Sequence, residues 1–130
     1  MHTLHKGERL HRKKVIEQLF AGGARSFAIY PLRVVYLPVE GMDAPVSILI
    51  SVSKRRFKRA VKRNCLKRRI REVYRTQKHE LVQAVDESQQ QLAVAFIYLS
   101  DKLTDTFVIE KSMKTALARI REKCAISPTG

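Results

Sequence analysis

Between residues 54 and 75, twelve lysines and arginines stand against a single acid, Glu72. Like-charged neighbours destabilise the helix that carries them, so such a segment can enter a fold in only one way. Its apolar residues must share one side and dock on a core, while its cations share the other and stay in water. The spacing meets that condition. At about 100° per residue, Leu66, Ile70, Val73, Tyr74, Gln77 and Leu81 fall in one stripe. Asn64, Cys65, Arg68, Arg71, Glu72 and Arg75 lie around the opposite side. The pattern predicts a helix over about 58–85 that presents a ridge of guanidiniums to solvent.

That ridge accounts for most of the charge of the chain. The net charge is +14 over 130 residues, yet residues 1–53 carry seven basic and four acidic groups and residues 76–130 carry seven of each. An imbalance confined to one helix points to a site for a polyanion. Guanidinium suits a phosphate backbone because it is permanently charged and offers planar, paired donors. Composition does not choose between RNA and DNA. The strand-rich flanks, however, are unlike the small helical DNA readers.

Around the ridge the sequence reads as one domain, 1–130, with its core in about 8–123 and a fraying tail over 124–130. Apolar residues make up 45% of the chain, as in globular proteins. No apolar run approaches the ~20 residues of a membrane span, and no signal-peptide pattern opens the chain. The expectation is a cytoplasmic protein with no membrane association and no obligate protein partner. Cys65 and Cys124 have no disulfide-framework or metal spacing. His2, His5, His11 and His79 fit no metal or nucleophile motif, so neither a catalytic residue nor a metal ligand is assigned.

The coarse element pattern supplies the scaffold. Val15, Ile16, Leu19 and Phe20 mark one side of a helix over 13–21, closed by Gly22-Gly23. Residues 32–37 form a strand between prolines, 39–45 a turn, and 46–53 an alternating strand, and these two strands are expected to pair as an antiparallel hairpin. A short extra strand fits near 27–30. Residues 92–99 are almost wholly apolar, as in a central strand covered on both faces. A last helix over 106–123 carries Ile109, Met113, Ala116, Leu117 and Ile120 on one face, with Asp105 or Thr106 as its N-cap. The order α-β-β-α-β-α, with the extra strand optional, predicts an α+β, two-layer α/β sandwich.

Within the basic segment the residues also form a motif. Ile50-Ser51-Val52-Ser53-Lys54, followed by Ala60-Val61-Lys62-Arg63-Asn64-Cys65-Leu66-Lys67-Arg68-Arg69-Ile70-Arg71-Glu72, resembles the signature of the bacterial ribonuclease P protein subunit. Arg9-Leu10, Leu19-Phe20 and Gly23 also stand where that family has such residues, and the element order matches over about 8–123. The resemblance implies a small basic subunit that binds a catalytic RNA and the single-stranded 5′ leader of precursor tRNA. The RNA would carry the cleavage chemistry with Mg2+ bound mainly by itself. It further implies a left-handed crossover between parallel strands, where the general rule for such connections gives the opposite hand.

Carried over to this sequence, Arg63, Asn64, Lys67, Arg68 and Arg71 would contact RNA, with Lys54, Arg55 and Arg75 beside them. Phe20, Tyr36, Ser51 and Ser53 would line a leader cleft between the first helix and the sheet. Three departures stand out: Cys65 replaces the motif's second arginine, Ile16 replaces a common phenylalanine, and the loop Arg56-Phe57-Lys58-Arg59 lacks the usual glycine. The competing reading is a ribosomal or other structural RNA-binding protein with no part in tRNA processing.

Overall fold

The computed structural model describes residues 8–10, 12–42 and 44–126. His2, His5, His11 and residues 127–130 of the tail expected over 124–130 lie outside the described residues, whereas 124–126 continue the last helix instead of fraying. The elements run α1 (Lys13–Leu19), β1 (Arg25–Ile29), β2 (Leu32–Val39), β3 (Val46–Val52), α2 (Ala60–Gln77), α3 (His79–Glu87), β4 (Gln91–Tyr98) and α4 (Thr106–Ile126). The four strands form one sheet in the order β1-β2-β4-β3. The extra strand near Phe27 is thus real, and the mixed sandwich is the one expected.

The pairing of β2 with β3 is the main correction. These strands do not form a hairpin; β4 lies between them, antiparallel to β2 and parallel to β3, with Ile50 opposite Phe96 and Val34 opposite Phe96 across the ladders. The reason lies in β4 itself. Leu92, Ala93, Val94, Ala95 and Phe96 are all buried, and a strand apolar on both faces is most stable with a neighbour on each edge. The hairpin partner of β2 is instead β1, whose mostly exposed residues make an acceptable edge. The parallel β3–β4 pair is joined through α2 and α3.

The long helix expected over 58–85 is divided at Lys78 into α2 and α3. The apolar stripe survives the break: Leu66, Ile70, Val73 and Tyr74 are buried from α2, and Leu81 and Val85 from α3. They meet Ile109, Met113, Ala116 and Ile120 of α4 and the inner face of the sheet in one continuous core. Gln77, placed in the stripe by periodicity, is half-buried and donates its side-chain N–H to the Glu110 carbonyl at 3.1 Å.

The other face of the sheet is covered far less. Leu10 and Leu19 pack there on Val35, Ala93 and Ala95, with Val15 and Ile16 only partly buried. α1 ends at Leu19, two residues earlier than expected. Gly22 follows with φ +99°, a conformation that side-chain-bearing residues rarely adopt, so the glycine pair closes the helix as its sequence implies.

Candidate nucleic-acid interface

α2 lays its stripe on the core and leaves its far side in water. Asn64, Cys65, Arg68 and Glu72 are exposed, and Lys67, Arg71 and Arg75 are half-buried with their stems along the helix. Among the described residues, Arg75 is the only one of the twelve cations in 54–75 that meets a carboxylate, pairing with Glu72 one turn earlier. The hydrogen bond from Arg75 holds the Glu72 carboxyl below its usual range and raises the Arg75 guanidinium in return. No other cation on the ridge meets an acid among the described residues. Arg71 shows the cost: burial first, then the charges of Arg9 and Arg68, lower its pKa.

Two expected contact residues also build the entrance to the helix. One terminal nitrogen of Arg63 donates to the carbonyls of Phe57 at 2.7 Å and Lys58 at 2.9 Å. Its remaining N–H groups stay open, since a guanidinium has five donors. Ser53 accepts the Arg55 backbone N–H on its hydroxyl at 3.0 Å, and the Ser53 carbonyl accepts from Phe57 at 3.0 Å. The Phe57 ring is buried against Tyr98, with ring centroids 5.9 Å apart. These contacts replace the missing loop glycine: an aromatic anchor and an arginine strap hold the turn, and Lys54 and Arg55 project from it exposed.

The face beneath α1 carries the remaining candidates. Phe20, just past the end of α1, is 51% exposed, so its ring is open for stacking. Ser51 lies on this face, paired across the ladder with Ile97, and Ser53 follows two positions on. Leu37, Leu49 and Ile97 add a half-buried aliphatic floor. Tyr36 does not belong here. It alternates with Val35 and Leu37 and so points to the opposite face, where it is buried in the main core with its ring edge on Phe27 at 6.2 Å.

Sequence reasoning gave three residues no place in the site, although Arg9 was among those that match the family. Arg33 sits on the α1 side of β2, opposite Ile97, and is exposed. Strand alternation from Val35 and Leu37 would have placed it. Arg9 is held beside β3 by a parallel bridge to Ile48, and Glu8 pairs with Lys78 at 2.7 Å. No periodicity marks either, because they belong to no regular element.

No group of three or more His, Cys, Asp or Glu side chains among the described residues could hold a metal ion. The acidic and cationic inventory of the ridge does not fit a magnesium site on this chain.

With this geometry, the comparisons with known proteins are decisive. The Ribonuclease P family model matches residues 4–121. The chain belongs to the ribonuclease P protein family. The ribonuclease P protein component of Porphyromonas gingivalis is 46% identical over 118 residues, covering 90% of this chain and 85% of that protein. That of Chlorobium phaeobacteroides is 31% identical, covering 78% and 75%. Solved structures share the fold: the RNase P protein of Thermotoga maritima has a TM-score of 0.67 at 21% identity, covering 86% of this chain and 96% of its own. The Staphylococcus aureus RNase P protein has a TM-score of 0.69 at 23% identity, covering 87% and 94%. The chain is a protein component of an endoribonuclease holoenzyme, and the ribosomal reading is not favoured. None of the described helices is long and apolar enough to cross a membrane.

Proposed function

We propose that this ribonuclease P protein component binds its RNA subunit through the α2 ridge and the 5′ leader of precursor tRNA through the face beneath α1. The ridge, on which Arg75 alone meets a carboxylate among the described residues, carries the first half of the reading. Arg63, Lys67, Arg68 and Arg71, with Lys54 and Arg55 at the helix entrance, offer charge that meets no carboxylate among the described residues, and Asn64 adds a neutral amide beside them. Arg75 is the weakest member, since Glu72 already occupies it. Each phosphate neutralised releases counterions, so association is favourable and falls steeply with salt.

Phe20, Ser51, Ser53 and Arg33 support the second half. An open ring can stack on an unpaired base, hydroxyls can bond to base edges or sugar, and the guanidinium can meet a phosphate. Tyr36 has no part in this surface. The Mg2+ used in cleavage is assigned mainly to the RNA subunit, consistent with a protein surface whose own cations repel it. On this reading the chain acts with its RNA in the cytoplasm.

The test is reconstitution with the host's own catalytic RNA. The protein is expected to restore precursor tRNA cleavage at magnesium concentrations too low for the RNA alone. An RNA active at high magnesium that gains nothing from the protein at low magnesium overturns the reading. Leader removal by the protein without RNA would overturn the division of labour.

A further inference from the structure

The ridge is not a property of α2 alone. Residues 8–10 run along the free edge of β3, fixed there by the Arg9–Ile48 bridge and by the Leu10 backbone N–H donating to the Ile48 carbonyl at 2.7 Å. Leu10 then anchors in the small core beneath α1. On the other side, Glu8 accepts two bonds from the Lys78 ammonium, at 2.7 and 2.9 Å, with both side chains largely buried. Lys78 lies seven residues, close to two full turns, beyond Arg71, so the two project from the same side of the helical path. The segment therefore passes along the Arg71 side of α2, and Arg9 is delivered to it. Arg9 is exposed and has no carboxylate partner among the described residues.

We propose that Arg9, Arg68 and Arg71 form a three-guanidinium clip for one RNA phosphodiester, and that Glu8 and Lys78 are positioning residues that hold Arg9 in it. The clip deepens the reading of α2 as an RNA-binding face and rests on it. Mutual repulsion is what an empty anion site must bear, and Arg71 is already under the field of both neighbours. A phosphate between the three relieves that repulsion, its two non-bridging oxygens sharing N–H donors from the three guanidiniums. Its place at the β3 edge matters as well. Arg9 lies between the α2 ridge and the α1 face, where a strand passing from one surface to the other would turn. The phosphodiester can belong to the catalytic RNA or to the leader; the chemistry is the same.

The experiment uses the full-length protein, the catalytic RNA, and precursor and mature tRNA, with Kd measured over a salt series. Arg9→Ala is expected to weaken binding and to lower the salt slope by about 0.7–0.9, the contribution of one contact. Arg119→Ala, on α4 by the opposite edge of the sheet, sets the background for loss of any one charge. A slope no different from that background overturns the clip. If Arg68→Ala and Arg71→Ala also leave the slope unchanged, the reading of α2 falls with it; if they lower it, only the clip falls. A loss seen with the catalytic RNA alone assigns the phosphate to that RNA. A loss seen only when the holoenzyme binds precursor, and not mature tRNA, assigns it to the leader.

The Arg9→Ala, Arg71→Ala double variant should lose less affinity than the product of the single losses, because both serve one group. Strictly multiplicative losses would place the two on separate phosphates and overturn the clip. For positioning, the sign is diagnostic. Removing an acid by Glu8→Ala should strengthen RNA binding on charge alone, whereas loss of Arg9's support should weaken it. We expect weaker binding by protein that circular dichroism shows to be folded, with a lowered melting temperature because Lys78 loses its largely buried partner, and no further loss of affinity when Glu8→Ala is added to Arg9→Ala. Stronger binding overturns the positioning role.

Discussion

The two faces of the sheet are built on opposite plans. Beneath α2, α3 and α4, large side chains such as Tyr74, Phe96, Leu66 and Ile70 are fully buried, and the cations lie outside the helices, away from the sheet. Beneath α1, a seven-residue helix covers only Val35, Ala93 and Ala95 well, and the rest of that face stays half-open around Leu37, Leu49 and Ile97. One face spends its apolar surface on stability and so can carry an unrelieved charge on the helix above it. The other keeps apolar surface within reach of a ligand. The repulsion along α2 is tolerable because its opposite stripe is anchored in the larger core.

The sharpest way to break this comparison is to cut the same chemistry from each face. Leu66→Ala, under the ridge, should cost about 2–5 kcal/mol in denaturant unfolding, as fully buried leucines do. Leu49→Ala on the open face should cost clearly less. Equal losses would mean that the α1 face is as well packed as the other.

Next in size is the ligand side of the same contrast. Phe20→Ala should weaken leader binding by ~1–3 kcal/mol if the ring stacks on a base, while changing unfolding stability little, since the ring is half exposed. It should leave mature tRNA binding unchanged in fluorescence titrations. Equal losses on precursor and mature tRNA would make the ring a structural part of α1.

A smaller effect tests the quality of the large core. The buried Tyr74 hydroxyl has no hydrogen-bond partner among the described residues, and burial with the nearby Glu8 charge pushes its pKa up. Tyr74→Phe removes that unpaired group and keeps the ring on Phe96, so stability should hold or rise by up to ~1 kcal/mol. A clear loss would reveal a bond to the hydroxyl. The smallest change is expected for Glu72→Gln, which takes the carboxylate charge away from Arg75. RNA affinity should rise slightly and most visibly at low salt, with no measurable change in melting temperature.

Much of the fold was legible because it rests on local periodicity. The α2 stripe, the apolar run of β4 and the Gly22 stop each follow from spacing and backbone preference. Strand neighbours do not. β2 and β3 are close in sequence and were read as a hairpin, but the burial demand of β4 on both faces outweighed proximity. Tyr36 was carried over from the family's cleft, but the face to which a strand residue points depends on its parity with its neighbours and on which layer lies on each side.

The residue order alone determined that one helix must be cationic outside and apolar inside, since no other arrangement keeps twelve charges in water and leucines out of it. Tertiary structure decided which of those charges are free. Arg63 is partly engaged by loop carbonyls, Arg75 by Glu72, and Arg71 feels the charge of Arg9, 62 positions earlier in the sequence. Electrostatic partnership depends on distance through space, and the linear order of residues does not contain it.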